Sequence, residues 1–190
     1  RTLSPAASPN DRYLSPMAIA LNDGRVLMLG TPRGSNIKRP AAGEIYKSAT
    51  DSWTATSPPP LAISNGYSLV VLHDGRVLVS GGEDGGGLAV PGSEVYDPDT
   101  DRWTAITGPA ARVGAASVLL TDGRVLMVGG GTSQDLATVS AAAFIYSPQS
   151  QKWSPLPAMA QPRFRLTALL LADGRVLAAG GLRPCVVFRA

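Results

Sequence analysis

The sequence predicts an all-β protein made of four repeated units, each containing four short antiparallel strands. Three kinds of marker recur in one register along the 190 residues. Asp-Gly begins four copies of the phrase DGRVL, and tyrosines and tryptophans follow at a period of about 50 residues. A repeat of this length is typical of stacked or radially arranged units. The markers are Asp23, Asp74, Asp122 and Asp173, then Tyr46, Tyr96 and Tyr146, and finally Trp53, Trp103 and Trp153.

The first two strands of each unit, strands a and b, flank the Asp-Gly turn. Asp-Gly between two apolar runs is a strong hairpin signal, and it predicts a two-residue type I′ turn with positive φ at both positions. In the third unit, strand a is predicted at about 113–120 and strand b at about 124–129. Both strands are apolar on both faces, which indicates that neighbouring units cover each sheet on its two sides.

The other two strands of each unit, strands c and d, carry the aromatic markers. In the third unit, strand c is predicted near 142–146, and strand d is predicted around Trp153 after the turn SPQSQ. The turns between strands c and d contain Pro, Asp and Ser, which favour turns. Four antiparallel strands per unit, repeated around an axis, predict the blades of a β-propeller.

A glycine doublet after strand b, followed by a Tyr and a Trp with six residues between them, resembles the kelch repeat. The doublets Gly81–Gly82 and Gly129–Gly130 are each followed in the sequence by both the Tyr and the Trp. The first unit keeps one glycine in Gly30–Thr31, and the fourth has Gly180–Gly181 and ends before a Tyr or Trp. The resemblance covers nearly the whole chain and implies a kelch-type propeller. It does not select a function, because kelch propellers include enzymes, protein-binding adaptors and carbohydrate-binding proteins.

A single propeller domain is expected over residues 1–190. Its repeat units are expected at approximately 12–54, 65–104, 112–154, and 163–190 together with 1–4. An alignment of 1–13 with 152–164 places the start of the chain inside a strand d. Residues 1–4 are therefore expected to complete the fourth blade and close a four-bladed ring, which leaves no unpaired strand edge. The kelch resemblance implies a larger number of blades. The alternative is therefore that the chain forms part of a larger ring or of an assembly of chains.

The predicted topology places the b–c loops and the d–a connections on one face and the short turns on the other. The b–c loops are long, at 31–42, 83–92 and 131–140, and long loops on a rigid scaffold often carry binding sites. Arginine recurs at the start of strand a, which predicts a ring of side chains at the mouth of the central channel. Such a ring suits a carboxylate, sulfate or phosphate, because one guanidinium can donate two hydrogen bonds to an anion. The predicted ligand-binding residues are Arg12, Asn65, Arg112 and Arg163. The alternative is a scaffold role, in which these side chains pair with neighbouring backbone or with loop acids.

Composition excludes several functional classes. One His and one Cys do not supply the ligands of the copper-radical site of kelch oxidases, a zinc or iron site, or a nucleophilic triad. No catalytic residue, metal ligand or cofactor is therefore predicted. A net charge of +3 without a basic run argues against nucleic-acid binding. No segment approaches the roughly 18 apolar residues of a membrane span.

The sequence therefore favours a non-catalytic binding propeller whose partner is a protein or a small anionic or carbohydrate ligand. Two alternatives stay open. A carbohydrate-active enzyme of the sialate-mutarotase type would need only polar groups and arginines around the channel. A structural repeat module would instead self-associate through exposed blade edges.

Overall fold

The computed structural model describes residues 6–10, 12–32, 42–61, 63–181 and 186–189. This part of the chain forms four antiparallel sheets in which each strand pairs with its neighbours in sequence, together with a single-turn 3-10 helix at Leu136–Thr138. Blade 1 contains β1 (Tyr13–Ala20), β2 (Val26–Pro32), β3 (Ala42–Lys47) and β4 (Ser52–Ala55), and blade 2 contains β5 (Asn65–Val71), β6 (Val77–Glu83), β7 (Ser93–Asp97) and β8 (Arg102–Ile106). Blade 3 contains β9 (Val113–Leu119), β10 (Val125–Gly131), β11 (Ala143–Ser147) and β12 (Lys152–Leu156). Blade 4 contains β13 (Leu166–Leu170), β14 (Arg175–Gly180) and β15 (Val186–Arg189).

The predicted all-β fold of antiparallel blades is confirmed, with four strands in each of blades 1 to 3 and three strands in the described part of blade 4. Strands a, b, c and d of the third unit correspond to β9 to β12, and Tyr146 pairs with Trp153 across strands c and d. The same Tyr–Trp pair joins the outer strands of blades 1 and 2, with ring centroids 5.1 and 4.5 Å apart. The strand expected to close the ring, residues 1–4, lies outside the described residues.

The prediction of a two-residue type I′ turn in the Asp-Gly hairpins is wrong. In blade 1, the N–H of Leu21 donates to the carbonyl of Arg25 at 2.8 Å, so three residues lie between the paired ends. Only the glycine has positive φ, at 86° for Gly24, and the Arg25 N–H donates to Asp23 Oδ1. This is a three-residue loop with one left-handed glycine, and the aspartate acts through its side chain rather than its backbone. The other three blades repeat these contacts.

Neighbouring blades pack face to face through their inner strands. Strands β1 and β5, β5 and β9, and β9 and β13 are in contact. Every residue of β6 and β10 is buried, which confirms the prediction that strand b is covered on both sides in blades 2 and 3. In blade 4, β14 instead alternates between buried and more exposed residues, as expected of a sheet covered on one side.

In blades 1 and 2, the connection that enters the blade is attached to the outer strands of that blade. In blade 2, Trp103 Nε1 donates to the carbonyl of Ser57, and the N–H of Ser57 donates to both oxygens of Asp101. In blade 1, Trp53 Nε1 donates to the carbonyl of Ala7, and the N–H of Ala7 donates to Asp51 Oδ1. Residues 6–10 therefore make the contacts of a d–a connection.

Candidate functional site

The b–c loops of blades 2 and 3 are joined by backbone hydrogen bonds. The N–H of Ala89 donates to the carbonyl of Thr132 at 3.1 Å, and the N–H of Gln134 donates to the carbonyl of Gly87 at 3.2 Å. Leu88 pairs with Ser133 in an isolated β-bridge. The two loops thus support each other across the boundary between blades, and they leave Leu88 63% exposed.

Side chains extend this connection from the loops to Arg165, which directly precedes the innermost strand of blade 4. Gln134 Nε2 donates to Glu83 Oε2 at 2.8 Å, and Arg165 Nη2 donates to Gln134 Oε1 at 3.1 Å. The Arg165 guanidinium also lies 5.5 Å from the ring centroid of Phe164. Gln134 therefore holds a buried carboxylate on one side and an exposed guanidinium on the other.

Arg165 occupies a repeat position where the backbone is left-handed. The corresponding residues are Ser15, Gly66 and Gly114, with φ of 47°, 71° and 66° in turn, and Arg165 has φ of 54°. A left-handed conformation costs free energy for a residue with a Cβ, and such positions concentrate at functional sites. Blades 2 and 3 meet the requirement with glycine, whereas blade 4 places an arginine there.

The four innermost strands line one cavity of about 450 Å³. Its wall consists largely of small residues such as Gly66 and Gly114, and Ser68, Ser117 and Thr167 supply hydroxyl groups. Arg165 is the arginine that lines it. The described residues that line this cavity include no carboxylate and no histidine.

Two of the predicted ligand-binding arginines are held inside the scaffold. Arg163 is 0% exposed, and its Nη1 donates to the carbonyl of Gly180 at 2.7 Å. Arg112 is half-buried, its Nη1 donates to its neighbour Ala111, and its guanidinium lies 5.8 Å from the ring centroid of Phe144 on β11. Burial lowers the pKa of Arg112. None of the predicted ligand-binding residues lines the cavity between the inner strands.

The strand register separates Asn65 from Arg112. Asn65 pairs with Glu83, as Val113 pairs with Gly131, so Asn65 is the counterpart of Val113. The counterpart of Arg112 is Ser64, one residue earlier. Arg12 is exposed and precedes β1. The ligand-binding role of Arg12, Asn65, Arg112 and Arg163 stays a prediction.

At the repeat position shared by Ser64, Arg112 and Arg163, the backbone joins neighbouring blades. The carbonyls of Arg112 and Arg163 accept the N–H groups of Gly82 and Gly130, at 2.7 and 2.8 Å. The carbonyl of Ser64 accepts the hydroxyl of Thr31, the residue that replaces the second glycine in blade 1. The position therefore has a structural role that does not depend on its side chain.

Sequence reasoning missed Arg165, although a signal was present. Arg165 stands eight residues before Asp173, and Gly66 and Gly114 stand eight residues before their own turn aspartates. An arginine at a position where two repeats carry glycine marks a departure from the scaffold.

The opposite face, formed by the short turns, has the character of a scaffold. The arginine of each DGR phrase forms an ion pair with the aspartate of the same phrase. In blade 1, Arg25 also donates to the carbonyl of Pro98 and to Asp99 in the neighbouring blade. In the described part of the chain, no three His, Cys, Asp or Glu side chains are grouped to hold a metal ion. Across the same residues, no helix is long and apolar enough to span a membrane.

Comparison with known proteins identifies the repeat. A family model described as the Kelch motif matches residues 66–109. The chain is 32% identical to the Kelch-like protein terF of Aspergillus terreus over 130 residues, which are 62% of this chain and 28% of that protein. It is 26% identical over 98 residues to Alpha-scruin of Limulus polyphemus, covering 50% of this chain and 11% of that protein. It is 29% identical over 109 residues to F-box protein AFR of Arabidopsis thaliana, covering 55% of this chain and 27% of that protein. The chain therefore spans no more than 28% of the length of any of these three relatives.

Proposed function

Because the chain belongs to the kelch-repeat family, we propose that it is a protein-binding module whose partner docks on the loop face. The loop face is the surface formed by residues 83–92, residues 131–140 and Arg165. The observation that carries the proposal is Arg165, an exposed guanidinium on left-handed backbone that is pre-positioned by Gln134 and the Phe164 ring.

The loop face has the properties that lower the cost of binding. The hydrogen bonds between the two loops order their backbone before a partner arrives, so less conformational entropy is lost on binding. Arginine is among the residues that dominate the energetics of protein interfaces. Leu88 adds exposed apolar area to the same loop face.

The partner group that fits Arg165 is a carboxylate. The guanidinium makes one hydrogen bond to a neutral amide oxygen, so donors remain to bind an acid in a bidentate manner. The loop aspartates turn oxygens toward their own backbone, since Asp84 Oδ1 accepts the N–H of Gly86 and Asp135 Oδ1 accepts the N–H of Ala137. An acidic segment of a protein is therefore the proposed ligand.

A displayed library of random peptides, selected on the 190-residue chain, tests this function. The affinity of selected peptides is then measured for the wild type and for Arg165→Gly, which installs the residue that blades 2 and 3 carry at this position. The control is Arg124→Ala on the opposite face, where the arginine is also exposed. We expect acidic peptides whose affinity falls at least about tenfold with Arg165→Gly, which corresponds to about 1.4 kcal/mol, and is unchanged by Arg124→Ala. Peptides that bind Arg165→Gly as well as the wild type would refute the proposal.

The cavity between the inner strands supports a second candidate, a small anionic carbohydrate. Its volume of about 450 Å³ is that of a small-molecule site, and it combines serine and threonine hydroxyls with Arg165. A sugar acid bound at 100 times its dissociation constant should stabilise the native chain by about 2.7 kcal/mol. Thermal-shift measurements with uronic acids, sialic acid and neutral sugars test this. Equal stabilisation of the wild type and Arg165→Gly would refute the binding of the sugar acid in this cavity.

A further inference from the structure

The interfaces between blades are repeats of one pattern with two different sides. The leading face of a blade, defined on strand b by Leu126 and Val128 in blade 3, points toward the next blade. The trailing face, defined on strand b by Val176 and Ala178 in blade 4, points back toward the preceding one. These residues pack together in one buried cluster. The interface between blades 1 and 2 is built in the same way.

The leading face of blade 4 is open in the described structure. Leu169 on β13 is 53% exposed, whereas Val70, its counterpart in blade 2, is 6% exposed. Leu177 and Ala179 on β14 are half-buried, whereas the corresponding residues of blade 3 are buried. This open surface consists of the same kinds of aliphatic side chain that the interior interfaces bury.

The trailing face of blade 1 is open as well, along its innermost strand, although Met28 on β2 is buried. Ala18 and Ala20 on β1 are exposed, and Val26 on β2 is half-buried. In blade 2, the counterpart of Val26 is Val77, which is fully buried against blade 1. The outer strands of blade 1 are covered by residues 6–10, which bond to Trp53 and Asp51.

The two open faces are the two halves of one interface. Both are aliphatic and uncharged at these positions, and the chain already joins such faces between its own successive blades. They are exposed at the same time, so the described residues do not bury one face against the other within the chain. We propose that a second copy of this chain covers them, with the leading face of blade 4 in one copy packed on the trailing face of blade 1 in the other.

Such a contact is heterologous, because two different surfaces meet. Two copies form a closed ring if the rotation between them allows both contacts, and they form longer head-to-tail assemblies if it does not. In either case, the buried aliphatic area provides the driving force, as it does between blades. The inference does not depend on the proposed binding at the loop face.

Mass in solution, measured by light scattering on the eluting 190-residue chain, tests the inference. We expect assemblies of at least twice the 19.6 kDa monomer. Leu169→Arg on the leading face and Ala20→Arg on the trailing face should each reduce this mass. Leu156→Arg is the control, because Leu156 is an exposed leucine on the outer edge strand of blade 3 and should leave the mass unchanged.

Mixing the two variants separates a specific effect from misfolding. The Leu169→Arg chain keeps its trailing face and the Ala20→Arg chain keeps its leading face, so a mixture should form a heterodimer through one intact contact. A mixture that stays monomeric overturns the inference. A monomeric wild type at every concentration also overturns it, as does an assembly that survives both substitutions.

Discussion

Replacing Glu94 with glutamine is expected to remove a pH-dependent cost of folding. Glu94 is 1% exposed on β7, and its Oε1 accepts the backbone N–H of Leu61 at 2.5 Å. Burial raises the pKa of Glu94 to about 7 from its ordinary value of 4.5, because desolvation of the charged form outweighs this hydrogen bond.

The sign and size of the effect follow from this pKa. Below pH 4.5, the carboxyl group is protonated in both the folded and the unfolded chain, and it carries no penalty. As the pH rises from 4.5 toward 7, the unfolded chain releases the proton and the folded chain keeps it, so the free energy of unfolding decreases. At 1.36 kcal/mol per pH unit, the loss is roughly 3 kcal/mol and is complete above pH 7.

Denaturant unfolding of the wild type and Glu94→Gln across this pH range measures the effect. The glutamine oxygen can still accept the N–H of Leu61, so the substitution removes the titration and keeps the hydrogen bond. The variant should match the wild type at low pH and be more stable by roughly 3 kcal/mol above pH 7. Asp74 and Asp122, whose pKa values are lowered by their hydrogen bonds to arginine, affect both proteins alike and cancel in the difference.

Glu44 provides the matched control for this experiment. It stands at the same position of blade 1, but its oxygens accept the N–H and the side-chain amide of Asn10 and the hydroxyl of Tyr13. Glu44→Gln should therefore destabilise the chain, by about 1–3 kcal/mol, because a glutamine amide cannot accept all these bonds. A stability difference between wild type and Glu94→Gln that does not change with pH would refute the reasoning.

Other substitutions test the packing of the blades through the free energy of unfolding in denaturant. Gly114→Ala should cost about 2–4 kcal/mol, because its Cβ would lie 2.8 Å from Phe164 on left-handed backbone, whereas Gly174→Ala has left-handed backbone with open space and should cost about 1 kcal/mol. Equal costs would contradict the close approach of blades 3 and 4. Asp101→Asn should cost about 1 kcal/mol, because Asp101 accepts hydrogen bonds from Ser57 and the Tyr96 hydroxyl, whereas Asp99→Asn, which removes one exposed ion pair, should cost close to nothing.

The sequence predicts the strands well because their markers are local. The glycine of each Asp-Gly dipeptide supplies a left-handed turn residue, and Tyr96 and Trp103 pair across strands c and d, so both can be recognised without knowledge of the tertiary structure. The turn type was mistaken because the same dipeptide fits loops of two and three residues. Hydrogen bonding by the aspartate side chain accompanies the longer loop, and this contact is not visible in the pattern.

The candidate site is harder to predict because it depends on register and loop conformation. Arg112 lies ten residues before its turn aspartate and Asn65 lies nine before its own, and this difference of one residue places them at different repeat positions. A bulge between Leu14 and Met17 shifts the register again in blade 1. The contact of Gln134 with Gly87 joins two irregular loops, and no periodic pattern encodes it.

Hydrogen–deuterium exchange of the chain, with and without a selected acidic peptide, tests most directly whether the loop face is the binding surface. We expect slower exchange in residues 83–92 and 131–140 when the peptide is bound, with the Asp-Gly turns of the opposite face unchanged. Slower exchange at the turns 73–76 and 121–124, with unchanged loops, would contradict it and place the binding surface on the other side of the blades.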